Sequence, residues 1–232
     1  MRKNLTEIVF VLDRSGSMNG LEADTIGGYN SFLEKQKNGE GDAYISTVLF
    51  DNEMIVLHDR ENIKDVKLLT SEDYVPRGLT ALLDAVGGAI KHISNVHKYA
   101  REEDVPEKTI FVIITDGMEN ASHKFTYNKL HELIKRKQEE CGWEFVFLGA
   151  NIDAPREARK FGISESRSVT YKNDGQGVAK NYSVVEKMVS AFRLCSCDDE
   201  DFESDKEVLF SAMRREIDED VKKQWQEEIM KK

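Results

Sequence analysis

The chain lacks long apolar runs. None of its 232 residues belongs to a hydrophobic stretch that approaches the length of a membrane span. The apolar segment that follows Arg2 and Lys3 has only five residues and ends at Asp13, which is too short for the core of a signal peptide. We therefore expect a cytoplasmic protein that does not cross a membrane.

Cysteine is also scarce, and basic residues are outnumbered by acidic ones. The three cysteines, Cys141, Cys195 and Cys197, do not make a disulfide framework, and the pair at 195 and 197 has no second Cys/His pair nearby, which disfavours zinc. Lys and Arg number 33 against 43 Asp and Glu, a net charge of -10. Because phosphate contacts need clustered Lys and Arg, we expect neither nucleic acid nor an anionic membrane as a partner.

Several catalytic motifs are missing as well. The chain has no Gly-x-x-x-x-Gly-Lys-Ser/Thr stretch, and Gly175-Gln176-Gly177 lacks a third glycine and follows a weak strand. Ser15 and Ser17 lack the Gly-x-Ser-x-Gly elbow, and the five histidines give no triad pattern. Nucleotide binding and serine hydrolysis are therefore disfavoured.

What the sequence does contain is an alternation of short β-rich runs with longer segments of helical period. Strands are predicted over residues 7–12, 43–50, 54–59, 109–115, 144–148 and 168–171, and helices over 21–36, 80–99, 127–140, 154–161 and 178–193. The turn-like Asp51-Asn52 pair predicts that the second and third strands form an antiparallel hairpin. The alternation indicates an α/β fold, a mainly parallel, doubly wound sheet with helices on both faces.

The composition changes after residue 193. An acidic run over 198–201 precedes a charged segment with helical period over 205–231. The apolar residues of this segment recur every four positions: Met213, Ile217, Val221, Trp225 and Ile229. Such a stripe predicts an amphipathic helix that packs on the domain or, alternatively, docks a partner or a second copy. We therefore divide the chain into a domain, 1–193, and an extension, 194–232, made of an acidic linker and a C-terminal amphipathic helix.

Three polar segments stand out, two of them directly after predicted strands. Asp13, Ser15 and Ser17 follow the first strand, Asp116 follows the most apolar one, and Thr80 lies at a predicted helix start. If the two strands are neighbours, these side chains meet outside the carboxyl edge of the sheet, where open α/β sheets bind ligands. Two carboxylates and three hydroxyls suit a hard divalent cation, Mg²⁺ before Mn²⁺ or Ca²⁺. Each segment alone is equally typical of a helix cap or turn, so only the joint pattern predicts a metal site.

The same residues resemble the metal-ion-dependent adhesion site (MIDAS) of von Willebrand factor type A (vWA) domains, in its three parts and their order. The resemblance covers roughly residues 5 to 193 and is strongest to small stand-alone bacterial or phage members, including those associated with tellurium resistance and stress. It implies a Rossmann-like sheet of five parallel strands and one antiparallel edge strand. It also implies that the hydroxyls of Ser15, Ser17 and Thr80 reach the ion directly, and that Asp13 and Asp116 do so directly or through water.

The chemistry of such a site suggests its use. Neutral direct ligands leave much of the cation's charge uncompensated, so an Asp or Glu of a partner protein can complete the shell. We predict a metal-dependent protein-binding module rather than an enzyme. Gly117, Glu119 and Asn120 lie beside Asp116 and are predicted to shape the contact surface, with Glu119 at its rim rather than among the ligands.

Two alternatives stay open. A phosphatase of the haloacid dehalogenase type also places an Asp after its first strand, but it needs a second acid two residues later, where this chain has Ser15. Such an enzyme also needs a lysine, for which Lys91 is available. The other alternative is a scaffold that binds its partner through the C-terminal helix, with the metal only stabilising the fold.

Overall fold

The computed structural model describes residues 1–195, except 151 and 173, together with nine residues between 204 and 219. The strands of its sheet are β1 (Arg2–Asp13), β2 (Asp42–Phe50), β3 (Met54–Asn62), β4 (Pro106–Thr115), β5 (Glu144–Ala150) and β6 (Ser168–Tyr171). The helices are α1 (Glu22–Lys37), α2 (Leu82–Tyr99), α3 (Tyr127–Cys141), α4 (Ala154–Lys160) and α5 (Gly175–Leu194). The strand order is β3-β2-β1-β4-β5-β6, and only the β2–β3 pairing is antiparallel. The predicted doubly wound sheet with an antiparallel edge strand is therefore confirmed.

The sheet separates two apolar layers. Successive side chains of a strand point to opposite faces, so Phe10 and Leu12 of β1 pack in one layer with α1 and α5. Val9 and Val11 pack in the other layer with α2, α3 and α4. Because both faces are covered, the central strands are apolar along most of their length, which is why they were recognisable in the sequence.

The segment before α2 differs from its prediction. The helix begins at Leu82, so the expectation that Thr80 starts it is wrong. The backbone N–H of Thr80 donates to Oδ1 of Asn120 (2.9 Å), and that of Ala81 donates to the carbonyl oxygen of Asp51 (3.0 Å). Both residues are thereby held in a loop by contacts with other segments of the chain, a tertiary constraint that local sequence does not report.

The described part of the extension is helical and packs on the domain. Phe210 is buried in the layer formed by α1 and α5, and the guanidinium of Arg167 lies over its ring at 5.0 Å. Arg167 also pairs with Glu207, and Arg214 pairs with Glu165 at 2.8 Å. Cys197 and the acidic run over 198–201 lie outside the described residues. The same is true of the predicted stripe residues, Met213, Ile217, Val221, Trp225 and Ile229. The division of the chain at residue 193 stays a prediction.

No helix that crosses a membrane was predicted from the sequence. Within the described ranges, no helix combines the length and apolarity that a bilayer crossing requires.

A close contact between α1 and α5 yields a test of the packing. A Cβ added to Gly28 would overlap the ring of Tyr182 on α5, whereas one added to Gly27 would meet nothing within 4 Å. We predict that Gly28→Ala lowers the free energy of unfolding by about 1–3 kcal/mol, because the two helices must separate. Gly27→Ala is the matched control and should raise it by about 0.5–1 kcal/mol through better helix propensity. Urea denaturation measures both changes, and equal effects of the two variants would contradict the close approach.

Candidate metal centre

The pairing of β1 with β4 brings the first and last predicted segments together. Leu12 of β1 lies opposite Ile114 of β4, so both strands end at the same edge. There the hydroxyl of Thr115 donates to Oδ2 of Asp13 at 2.6 Å, and Thr115 Oγ1 accepts the N–H of Gly117 at 3.2 Å. Thr115 was not among the predicted site residues. Its signal in the sequence was its place at the end of an apolar strand, directly before Asp116.

The loop after β1 curls so that Ser15 contacts Ser17 and Ser17 contacts Asp116. The backbone N–H of Ser15 donates to Oδ1 of Asp13 at 2.7 Å. The hydroxyl oxygens of Ser15 and Ser17 lie 3.0 Å apart, and the hydroxyl of Ser17 donates to Oδ1 of Asp116 at 2.6 Å. A continuous path of polar contacts therefore runs from one predicted carboxylate to the other.

Thr80 reaches the same place from its loop. A Cβ added to Gly117 would lie 3.1 Å from Oγ1 of Thr80 and 3.6 Å from Oγ of Ser17, so both hydroxyls border one residue. The backbone of Thr80 is tied to this segment twice, through its N–H to the Asn120 side chain (2.9 Å) and through its carbonyl oxygen to the Asn120 N–H (3.1 Å). All five predicted residues are thus gathered around the ends of β1 and β4.

Gly78 allows the Thr80 loop to approach the β1 loop. Its φ is +68°, a conformation that favours glycine, and a Cβ there would overlap Oδ1 of Asn52. The same Asn52 oxygen accepts the N–H of Leu79 at 2.6 Å, and the carbonyl oxygen of Gly78 accepts the N–H of Gly16 at 3.1 Å. The turn therefore joins three loops at the edge of the sheet.

Glu119, predicted at the rim of the contact surface, has a positioning role. Its carboxylate accepts the N–H groups of Leu83 (2.9 Å), Ala121 (2.9 Å) and Ser122 (2.7 Å). It thus caps the start of α2 and holds the loop after β4 against it. Since three backbone donors occupy this carboxylate, its position between the loops is fixed.

Asp51 and Tyr74 support the site and were missed in the sequence. The Tyr74 hydroxyl donates to the carbonyl oxygen of Asp13 at 2.5 Å. Asp51, at the end of β2, is buried and pairs with Arg14 (3.0 Å) and Arg77 (2.8 Å). Burial acts to raise the pKa of Asp51, but hydrogen bonds and the two guanidinium groups hold that pKa below its usual value. The sequence suggested only a turn at Asp51, because the arginine contacts depend on tertiary structure.

Asp13 has the opposite electrostatic environment. Its side chain is 0 % exposed, and burial raises its pKa to about 6 against the lowering effect of hydrogen bonds from Thr115 and Ser15. The negative charge of Asp116 raises this pKa further. Among the described residues no Lys, Arg or His pairs with Asp13, since the neighbouring Arg14 turns to Asp51. A bound divalent cation would supply the compensating charge.

The spacing of the oxygens fits such an ion. Octahedral Mg²⁺ with ligands at about 2.1 Å places neighbouring ligand oxygens about 3.0 Å apart. The Ser15–Ser17 separation of 3.0 Å matches this value, whereas the Ser17–Asp116 separation of 2.6 Å is that of a hydrogen bond. The residues that would hold the ion are Asp13, Ser15, Ser17, Thr80 and Asp116. In the described part of the chain, no group of three or more His, Cys, Asp or Glu side chains is arranged to hold a metal, and the proposed centre combines two carboxylates with three hydroxyls.

Two features that suggested other functions have structural explanations. A Cβ at Gly177 would overlap the carbonyl oxygen of Lys172, and one at Gly175 would lie 2.8 Å from Oδ2 of Asp24. These glycines therefore permit close packing at the start of α5, and the nearby Asp24 carboxylate disfavours phosphate there. Lys91, the candidate phosphatase lysine, lies over the ring of Phe125 at 4.6 Å.

Comparison with solved structures identifies the fold. The vWF domain of a type V pili tip protein from Porphyromonas gingivalis superposes with a TM-score of 0.59 at 12% identity, covering 84% of this chain and 98% of that one. Proximal thread matrix protein 1 from the mussel byssus gives 0.54 at 20% identity over 80% of this chain. A von Willebrand factor type A protein from Catenulispora acidiphila gives 0.52 at 13% identity, over 78% of this chain and 41% of that one. The chain therefore has the vWA fold.

The similarity to these proteins covers only part of some of them. The chain spans only 46% of the mussel protein. No protein-family model matches the sequence, and no curated protein matches it.

The raised pKa of Asp13 predicts how stability depends on pH without metal. The folded state binds this proton more tightly than the unfolded chain, whose carboxyl has the ordinary value of 3.8, so stability falls as pH rises from about 4 to about 6. In EDTA at neutral pH, Asp13→Asn should therefore be more stable than the wild type, by up to roughly 3 kcal/mol. Urea denaturation from about pH 4.5 to about pH 7.5 measures the difference.

Asp51→Asn is the matched control for this prediction. Because the pKa of Asp51 is lowered in the folded state, its stabilising contribution is present at neutral pH and is lost as pH falls. The Asn variant should therefore be less stable than the wild type at neutral pH. Parallel pH curves for Asp13→Asn and the wild type would contradict the assigned environment of Asp13.

Proposed function

We propose that this protein is a metal-dependent protein-binding module. A divalent cation, Mg²⁺ in preference to Mn²⁺ or Ca²⁺, is held by Asp13, Ser15, Ser17, Thr80 and Asp116, the MIDAS-like set. An Asp or Glu side chain of a partner protein completes the coordination shell. The observation that carries the proposal is the convergence of these five side chains around a buried carboxylate that has no cationic partner among the described residues.

The number of ligands supports a role for an external group. Five protein side chains leave one of the six positions of an octahedral ion for another ligand. Asp13, Ser15 and Thr80 are buried, whereas Ser17 is exposed, so the ion would be approached from the side of Ser17. When Asp13 and Asp116 act through water, the direct protein ligands are the three neutral hydroxyls, and a carboxylate is then favoured over water at the open position because it adds the charge that they do not provide.

The fold comparisons agree with a binding role. Domains of the same fold occur in a pili tip protein and in a matrix protein of byssus threads. At 12% and 20% identity these similarities show only the fold. The proposed metal, partner and role of this chain are therefore argued from its own residues.

Specific contacts favour metal-dependent protein binding over the phosphatase and scaffold alternatives. A dehalogenase-type phosphatase would need an acid at position 15, where Ser15 instead donates its backbone N–H to Asp13. A scaffold that binds through the extension would leave the described residues of the extension available, whereas Phe210 is buried in the domain and Glu207 pairs with Arg167. We therefore assign recognition, not catalysis, to the metal edge.

The metal assignment is tested by thermal unfolding in the presence of MgCl₂ or EDTA. A cation that binds only the folded state raises the midpoint temperature of the wild type. Asp13→Asn and Asp116→Asn should lose this Mg²⁺-dependent shift. Asp59→Asn is the matched control, because Asp59 pairs with His92 outside the site, and it should keep the shift. Retention of a full shift in both site variants would overturn the ligand assignment.

The partner assignment is tested by affinity capture from the source cell. The tagged wild-type protein and Asp116→Asn are compared in MgCl₂, and the captured proteins are then eluted with EDTA. We expect partners that the wild type retains in Mg²⁺, that EDTA releases, and that Asp116→Asn does not retain. An identical set of captured proteins with and without Mg²⁺ would count against metal-bridged binding.

A further inference from the structure

Large apolar side chains are exposed around the proposed metal centre. Ten such side chains are exposed among the described residues; Leu79 and Met118 lie beside ligand residues in the sequence, and Met54 begins β3 opposite Phe50, at the same edge of the sheet. Exposed apolar residues that are scattered singly are ordinary, but a cluster beside a polar site is typical of a binding surface. Their concentration at this edge therefore indicates that apolar contacts accompany the metal contact.

Two of these side chains lie within two residues of a ligand residue. Leu79 precedes Thr80 and is 53% exposed, and Met118 lies two residues after Asp116 and is 64% exposed. The loops that carry them are joined by the hydrogen bond from the N–H of Asn120 to the carbonyl oxygen of Thr80 (3.1 Å). We refer to Leu79 and Met118 as the apolar collar.

The backbone on each side of the collar is fixed. The N–H of Leu79 is held by Oδ1 of Asn52 at 2.6 Å. Met118 lies between Gly117, whose N–H and carbonyl oxygen both bond to Thr115, and Glu119, whose carboxylate accepts three backbone N–H groups. Apolar side chains on an ordered backbone lose little chain entropy on binding, so their burial contributes to affinity.

We propose that the apolar collar selects the partner sequence: the centre binds an Asp or Glu that is flanked by apolar side chains. This inference rests on the proposed function. Packing of those neighbours on Leu79 and Met118 would exclude water from the carboxylate–cation contact, and a lower local dielectric strengthens that contact. The net charge of -10 disfavours an anionic membrane as the apolar partner, so the occupant is a protein segment.

Synthetic heptapeptides test the selection directly. The probes are fluorescein-labelled Gly-Ser-Leu-Glu-Leu-Ser-Gly, its Ser-Glu-Ser counterpart and its Leu-Gln-Leu counterpart, titrated by fluorescence polarisation in MgCl₂ and in EDTA. In Mg²⁺ we expect the Leu-Glu-Leu peptide to bind about tenfold more tightly than the Ser-Glu-Ser peptide, because two leucines are partly buried. The Leu-Gln-Leu peptide, and all peptides in EDTA, should not bind.

Collar variants locate the preference on the protein. Leu79→Ser and Met118→Ser should each reduce the preference for the Leu-Glu-Leu peptide while leaving the Mg²⁺-dependent thermal shift and binding of the Ser-Glu-Ser peptide unchanged. Leu194→Ser is the matched control, since Leu194 is 64% exposed and ends α5. The carbonyl oxygen of the preceding Arg193 accepts a hydrogen bond from Lys108, near the start of β4. Leu194 therefore lies toward the opposite edge of the sheet. This variant should keep the full preference.

The outcomes separate the collar from the metal centre. Equal affinities for the two Glu peptides, or a preference that survives in both collar variants, would overturn the collar proposal and leave metal-dependent binding of a carboxylate intact. Absence of any Mg²⁺-dependent binding of either Glu peptide would overturn both proposals. A preference that disappears in the collar variants and persists in Leu194→Ser would support the assignment.

Discussion

The buried charge of Asp13 is the constraint on which the metal edge depends. A carboxylate without exposure to water is destabilised unless donors or a cation compensate for the lost hydration. Here the donors are the N–H of Ser15 and the hydroxyl of Thr115, one from the following loop and one from the neighbouring strand. The second contact requires β1 and β4 to be adjacent and in register. The position of the carboxylate is therefore a direct consequence of the sheet topology.

Much of the fold was predictable because it depends on patterns that are local in the sequence. The apolar runs of β1 and β4 reflect burial on both faces of the sheet, and their polar ends mark the edge where ligands collect. Of the five candidate ligands, Asp13, Ser15 and Ser17 lie in one short motif after β1, Asp116 follows β4, and Thr80 lies shortly before α2. The pairing of β1 with β4 brings the first four residues together, whereas Thr80 is placed by hydrogen bonds to Asn120.

The supporting contacts were not predictable from local pattern. Glu119 caps a helix whose start is far away in the sequence, and the loop that carries Thr80 is held by hydrogen bonds to Asp51 and Asn120 rather than by the helix that follows. Each of these contacts joins residues of different elements, so propensity and periodicity carry no trace of them. The start of α2 was misplaced for the same reason, since tertiary hydrogen bonds hold Thr80 and Ala81 in a loop.

The contrast between Asp51 and Asp13 bears on what the edge is for. Both are buried acids at the ends of neighbouring parallel strands. Arg14 and Arg77 pair with Asp51 and hold its pKa low, whereas the pKa of Asp13 is raised, although Arg14 is its immediate neighbour in the chain. The fold thus directs an available guanidinium away from Asp13 and toward an acid that supports the loops. A carboxylate kept from the protein's own cations, beside three hydroxyls and a second acid, is what a site for an external divalent cation requires.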